Sequence, residues 1–125
     1  MSTPQRIVSI IDDDVSVRRA LRRLLESAGY TVETFASAVE FLDAVPLGRT
    51  ACLVLDVDLD GTSGFELQDR LTAEHVRLPV VFMSARDDDA TRARARHSGI
   101  VAYLRKPFDR RDLLDAVRQA FRPAP

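Results

Sequence analysis

Five short runs of β-branched, aromatic and other apolar residues, separated by longer stretches of helical periodicity, constrain this chain more than any other feature of its sequence. The runs are Ile7 to Ile11, Thr31 to Phe35, Ala51 to Leu55, Pro79 to Met83 and Ile100 to Leu104. A strand with one wet face alternates polar and apolar residues, whereas a mostly continuous apolar run marks a strand covered on both faces. Between the runs, Val17, Ala20, Leu21, Leu24, Leu25 and Ala28 recur at helical spacing, and Gly29 supplies a stop. Ser37 is expected to cap a short helix with Val39, Phe41, Leu42 and Val45 on its inner face, ended by Pro46 and Gly48. A third helix runs through Phe65, Leu67 and Leu71. Asp87 to His97 has an acidic start and a basic end, which suits the helix dipole. Asp109 is expected to cap a last helix through Leu113, Leu114, Val117 and Phe121. This alternation predicts an α/β fold, a doubly wound five-stranded parallel sheet flanked by five helices.

Size agrees with that reading: 125 residues make one domain with a real core. Residues 1–122 are expected to form it, with 123–125 as the start of a linker or a frayed C-terminus. At 46% hydrophobic and 30% charged, the composition is that of a globular chain rather than a disordered one. A net charge of −1 gives no global attraction to nucleic acid, so no direct nucleic-acid partner is expected. No apolar run approaches the ~20 residues of a membrane helix, and Met1 to Arg6 does not read as a signal peptide. Cys52 is the only cysteine, which rules out an internal disulfide; its apolar neighbours predict a buried thiol in a reducing, cytoplasmic compartment.

Ligand sites in doubly wound sheets lie beyond the carboxyl ends of the strands. The residues just after the strands are Asp12, Asp13 and Asp14, then Asp56, Ser84 and Lys106. Carboxylates gathered in one cleft repel each other and call for a cation. All-oxygen ligands suit a hard divalent ion such as Mg²⁺, or Mn²⁺ in its place. A carboxylate can also act as a nucleophile and form an aspartyl phosphate. Positive charge from a metal and Lys106 would then steady the equatorial oxygens, and the Ser84 hydroxyl could donate to one of them.

The segments Ile10-Ile-Asp-Asp-Asp14, Leu53-Val-Leu-Asp56, Val81-Phe-Met-Ser84 and Lys106-Pro-Phe108 resemble the receiver family of bacterial two-component signalling, over roughly Arg6 to Phe121. The resemblance implies a flavodoxin-like sheet in the order 2-1-3-4-5. It implies that Asp56 is the phosphoacceptor. Asp12 and Asp13 would hold Mg²⁺ with Asp56 itself and the backbone carbonyl of Asp58. Ser84 and Tyr103 match the family's switch pair. Lys106 matches its lysine, in a Lys-Pro peptide that is often cis, and Gly64 matches the glycine after the phosphoacceptor loop. The implied partners are a histidine kinase, a second copy of the chain when phosphorylated, and a C-terminal effector domain. The surface of the fourth helix, fifth strand and fifth helix would carry the signal, and the chain would not be a turnover enzyme. Two departures stand out. Leu59-Asp60 replaces the family's frequent Met-Pro, and Asp58 and Arg86 occupy positions that tune phosphoryl lifetime. The latter two are expected to pair across the mouth of the site.

Simpler readings compete at each position. The three acids could merely cap the first helix, Lys106 could be a surface lysine, Ser84 a turn residue and Tyr103 a core residue. His75 and His97 have no partners at ligand spacing. Arg92, Arg94 and Arg96 read as a solvated helix face on a helix that offers only Ala90, Ala93 and Ala95 for packing, so it is expected to be weakly anchored. Asp87 to Asp89 could pair with these arginines across a dimer. Two rival functions also remain. Asp56-Val-Asp-Leu-Asp-Gly61 begins like a calcium-binding loop, but position twelve is Leu67 instead of the closing Glu. Asp58-Leu-Asp-Gly-Thr62 resembles the first motif of haloacid dehalogenase-type phosphatases, but that reading leaves Asp12 and Asp13 without a role.

Overall fold

The structure, a computed structural model, describes residues 7–44, 49–59, 61–86 and 88–122. Strands and helices alternate along it: β1 (Ile7–Ile11), α1 (Val15–Ser27), β2 (Thr31–Phe35), α2 (Ala38–Ala44), β3 (Thr50–Asp56), α3 (Gly64–Ala73), β4 (Val80–Ser84), α4 (Asp89–His97), β5 (Ala102–Arg105) and α5 (Arg110–Ala120). All strand pairs are parallel, in the order β2-β1-β3-β4-β5. The predicted doubly wound sheet is therefore the observed one.

Burial explains the continuous apolar runs. β1 and β4 are buried at every position, and β3 at all but Ala51. Side chains alternate between two cores because successive Cβ atoms point to opposite faces. Leu53 and Leu55 pack with Phe41, Phe65, Leu67, Leu71 and Phe82 under α2, α3 and α4. Cys52 and Val54 pack with Leu21, Leu25, Leu113 and Val117 under α1 and α5. Phe82 is fully buried, with its ring centroid 4.8 Å from that of Phe65. Burying one such ring contributes roughly 2–3 kcal/mol, so Phe82 and Phe65 do much to fix α3 on the sheet. Burial also pushes the Cys52 thiol up to about 12, so it stays protonated and acts as a small apolar filler.

Helix starts follow from their caps. Asp14 Oδ1 accepts from the N–H groups of Ser16 and Val17, Ser63 Oγ from Glu66, and Asp88 Oδ1 from Thr91. Ser37 Oγ accepts from the Glu40 N–H, as expected, and the Glu40 carboxylate in turn accepts from the Ala36 N–H.

Several boundaries and faces differ from expectation. β3 extends to Asp56, β4 runs one residue later at both ends, and β5 begins at Ala102 rather than Ile100. Ile100 and Val101 are apolar because they close the edge of the sheet, where the Val101 N–H bonds the Val80 carbonyl before the ladder starts. Val39 is 61% exposed, not inward. It lies a helical step off the face that buries Ala38 and Phe41. Asp109 occupies the cap position of α5, but its side chain makes no cap hydrogen bond; its carbonyl takes the Asp112 N–H instead. On α4 the buried residues are Thr91 and Ala95, while Ala90 is exposed. Val45, Pro46, Gly48, Asp87 and residues 123–125 lie outside the described residues.

Candidate functional site

Parallel pairing brings the ends of β1, β3 and β4 to one edge, because Ile11 is in register with Leu55, and Asp56 with Met83. Asp12 follows β1 and is fully buried, and Asp56 ends β3 at 5% exposure. Lys106, just past β5, donates to both: its Nζ lies 2.7 Å from Asp12 Oδ2 and 3.0 Å from Asp56 Oδ2. The remaining carboxylate oxygens are also used. Asp12 Oδ1 accepts from the Asp14 N–H at 2.9 Å, and Asp56 Oδ1 from the Asp58 N–H at 2.9 Å. Exposed Asp13 completes a cluster in which carboxylate oxygens of Asp12, Asp13 and Asp56 lie within 4.8 Å of one another.

This cleft is short of positive charge. Burial raises the Asp56 carboxyl above its ordinary value, and the bonds from Asp58 and Lys106 do not cancel that. Burial works against the Lys106 charge too, but the bonds to Asp12 and Asp56 outweigh it and raise the ammonium above its ordinary value. A further cation would relieve both shifts. Three oxygen donors with open coordination toward solvent on the Asp13 side are what a hard divalent ion takes, so Mg²⁺ fits these residues. The Asp14 side chain serves as the cap of α1 among the described interactions, while its N–H bonds Asp12 Oδ1.

Gly64 shapes the floor. A Cβ there would sit 2.5 Å from the Asp56 carbonyl oxygen and 3.0 Å from Val57 Cα. The Gly64 N–H donates to the Val57 carbonyl, so α3 starts tight against the end of β3. The Lys106–Pro107 peptide is cis.

The second half of the predicted set forms a neighbouring network. Ser84 is fully buried; its hydroxyl donates to Asp58 Oδ2 at 3.0 Å and accepts from the Arg86 N–H at 3.0 Å. Arg86 Nε lies 3.1 Å from Asp58 Oδ1, the pairing anticipated across the mouth. Half-buried Tyr103 packs against the core beneath α3 and α4 and donates its hydroxyl to the Arg86 carbonyl at 2.8 Å. Ser84 is thus turned toward Asp58, not toward Asp56.

One residue escaped the sequence reading. Arg18, one turn into α1, donates Nη1 to the Asp12 carbonyl at 2.7 Å and steadies the turn that presents Asp12 and Asp13. Its signal was a base one turn past three acids, masked by the neighbouring bases Arg19, Arg22 and Arg23. The arginines of α4 are not merely solvated either: Arg94 pairs with Asp69 at 3.3 Å and lies 4.7 Å over the Phe65 ring.

The five-stranded doubly wound fold and the cluster at its strand ends are those of a receiver domain, and the chain belongs to the response regulator receiver domain family, whose model matches residues 8–118. It is 40% identical over 116 residues to nodulation protein W of Bradyrhizobium diazoefficiens, covering 93% of this chain and 51% of that protein. It is 42% identical over 113 residues to the transcriptional regulatory protein TdiR of Thauera aromatica, covering 90% of this chain and 50% of that one. The solved structure of the response regulator StyR superposes with a TM-score of 0.86 at 45% identity, covering 93% of this chain and 59% of that chain. The chain thus spans about half the length of the curated relatives it matches. The rival readings lose their footing. Leu67 is 1% exposed in the core where a calcium loop needs its closing acid, and the acids that a phosphatase would leave idle are those clustered with Asp56.

Proposed function

We propose that this chain is the phosphoacceptor switch of a two-component system, taking a phosphoryl group on Asp56 from a histidine kinase or a small phosphodonor. The observation that carries this reading is the position of Lys106, bonded at once to Asp12 and Asp56. Its one ammonium offsets only part of the charge of two buried carboxylates, and it stays beside both, where it can follow charge that builds between them.

In the reaction, an Asp56 carboxylate oxygen attacks phosphorus in line, and the donor's P–N or P–O bond breaks with its electron pair leaving on the donor. The Asp58 N–H holds Asp56 Oδ1 and so orients the attacking group. Lys106 stays within reach of the new phosphoryl oxygens as their charge develops. Asp12, Asp13, Asp56 and the backbone carbonyl of Asp58 would hold Mg²⁺, which when bound supplies the missing positive charge at the equatorial oxygens. Ser84 then turns to donate to a phosphoryl oxygen, and Tyr103 follows. The paired motion biases α4, β5 and α5 between two packings, the surface through which the signal passes. The group is held covalently and lost slowly, so the domain is a switch and not a turnover enzyme.

Phosphorylation-dependent pairing of two copies through this surface, and tuning of the lifetime by Asp58 and Arg86, belong to the same reading. So does a C-terminal effector, since a relative such as TdiR is a transcriptional regulatory protein about twice this span. Cytoplasmic placement accords with the described residues, in which no helix is long and apolar enough to cross a membrane. Incubation with acetyl phosphate and Mg²⁺, followed by intact mass spectrometry, tests the proposal. One added phosphoryl group, dependent on Mg²⁺, is the expected result. Continuous release of phosphate with no adduct would count for a phosphatase instead.

A further inference from the structure

We infer that the Asp58 side chain is a resident stand-in for the phosphoryl group, a carboxylate that occupies the Ser84 hydroxyl until Asp56 is phosphorylated. The inference rests on the reading of Asp56 as phosphoacceptor and adds a competitor to it. Ser84 Oγ has one proton, and here it is donated to Asp58 Oδ2 at 3.0 Å. A phosphoryl oxygen on Asp56 can receive that proton only if Asp58 gives it up. Both acceptors are anionic oxygens, so the exchange is nearly balanced, and small changes at Asp58 tilt it.

Two bonds make the Asp58 contact a latch. Arg86 closes the circle, its N–H on Ser84 Oγ at 3.0 Å and its Nε 3.1 Å from Asp58 Oδ1. Tyr103 is tied to the same residue through the Arg86 carbonyl at 2.8 Å. Withdrawing Ser84 from Asp58 therefore disturbs Arg86 and, through it, Tyr103. The strengths are unequal. The Arg86–Asp58 ion pair is open to solvent, its side chains 64% and 34% exposed, so it adds little. Ser84 is fully buried, so its bond to a carboxylate is shielded and charge-assisted. The hydroxyl contact is the part that holds the latch, and the ion pair steers it.

Asp58 acts through Ser84, so it is a positioning residue, and a double-mutant cycle between the two separates the latch from a bare charge effect. The cycle is read in urea unfolding without metal or phosphodonor, using Asp58→Ala, Ser84→Ala and the double variant. The expected result is non-additivity of about tenfold in the unfolding equilibrium constant. Additive effects would overturn the latch whatever the phosphoryl chemistry does. The second reading is the rate of phosphorylation by acetyl phosphate with Mg²⁺. Asp58→Ala is expected to speed it about fivefold to tenfold in the Ser84 background, since a charge-assisted hydrogen bond no longer has to be exchanged. That gain should vanish with Ser84→Ala and return with Ser84→Thr, which restores a hydroxyl. An equal gain with and without the hydroxyl would mean that Asp58 acts by charge alone, and no gain in either background would mean that it holds nothing back; both overturn the inference. A chain that takes no phosphoryl group at all removes the reading of Asp56, while the unfolding cycle still decides the latch.

Discussion

The ammonium of Lys106 lies 3.0 Å from the carboxylate of Asp56, although the two residues are 50 apart in sequence and β4 runs between their strands. The contact is possible because parallel strands deliver their carboxyl ends to one edge. It is favoured because Asp56 is nearly buried and the same ammonium neutralises Asp12, which is fully buried. Lys106→Met would leave both carboxylates in a poorly solvated cleft with no other cationic side chain among the described residues bonded to either. Destabilisation of about 3 kcal/mol is expected in metal-free buffer, the low end for breaking a buried pair. Urea unfolding with and without Mg²⁺ checks this. The loss should be partly recovered by the metal, and an unchanged midpoint would count against the charge balance described.

Acid pH should favour the wild-type fold relative to Asp56→Asn. Folding raises the Asp56 pKa above 3.8, with burial the main cause. The folded chain thus binds this proton more tightly than the unfolded one. The associated stability is full below the unfolded value of about 3.8 and is lost as pH rises through the folded value. At neutral pH the buried charge is a burden, so Asp56→Asn is expected to be the more stable chain without metal, with the gap closing in acid. Thermal melts from pH 3 to 7 on both proteins decide it; a constant gap would remove the burial argument.

Gly64→Ala should damage both fold and chemistry. The added Cβ would meet backbone at 2.5 Å, not a flexible side chain. Backing α3 away from β3 is expected to cost about 2 kcal/mol, a typical overpacking penalty. It would also move the Asp56 backbone and slow phosphoryl uptake. Wild-type stability in this variant would mean that the close approach is not real.

Asp13 and Asp14 are neighbours with separate tasks. Asp13→Asn should weaken Mg²⁺ binding about tenfold or more while leaving the melting temperature close to wild type, because a ligand is lost without a structural bond. Asp14→Ala should do the reverse, costing about 1 kcal/mol of stability through loss of the α1 cap. Calorimetric Mg²⁺ titration beside thermal melts distinguishes the two. Equal effects on metal affinity would erase the division.

Much of the site could be read without coordinates, because it is built from strand ends, and strand ends are where apolar runs stop. Asp12, Asp56 and Lys106 each follow such a stop, and the structure joins them. What could not be read depends on direction in space rather than position in sequence. Ser84 stands where expected, yet only geometry tells that its hydroxyl is turned to Asp58. Arg18 was hidden because α1 carries several bases and periodicity alone cannot say which one reaches the Asp12 carbonyl. Val39 was misplaced because two adjacent apolar residues at a helix start leave the inner face ambiguous by one step. β5 was drawn too early because Ile100 and Val101 pack against the cores ahead of the first paired residue, with Val101 tied to the sheet only through its N–H on the Val80 carbonyl.

In the proposed chemistry the phosphoryl group is bonded to the side chain of Asp56. Borohydride reduction converts an aspartyl phosphate to homoserine and leaves an unmodified aspartate untouched. The chain would be treated with acetyl phosphate and Mg²⁺, reduced, digested and sequenced by mass spectrometry. Homoserine is expected at position 56 alone, absent when either reagent is omitted. Homoserine at Asp12, Asp13 or Asp58 instead, or at no position in a chain that has gained a phosphoryl group, would contradict it.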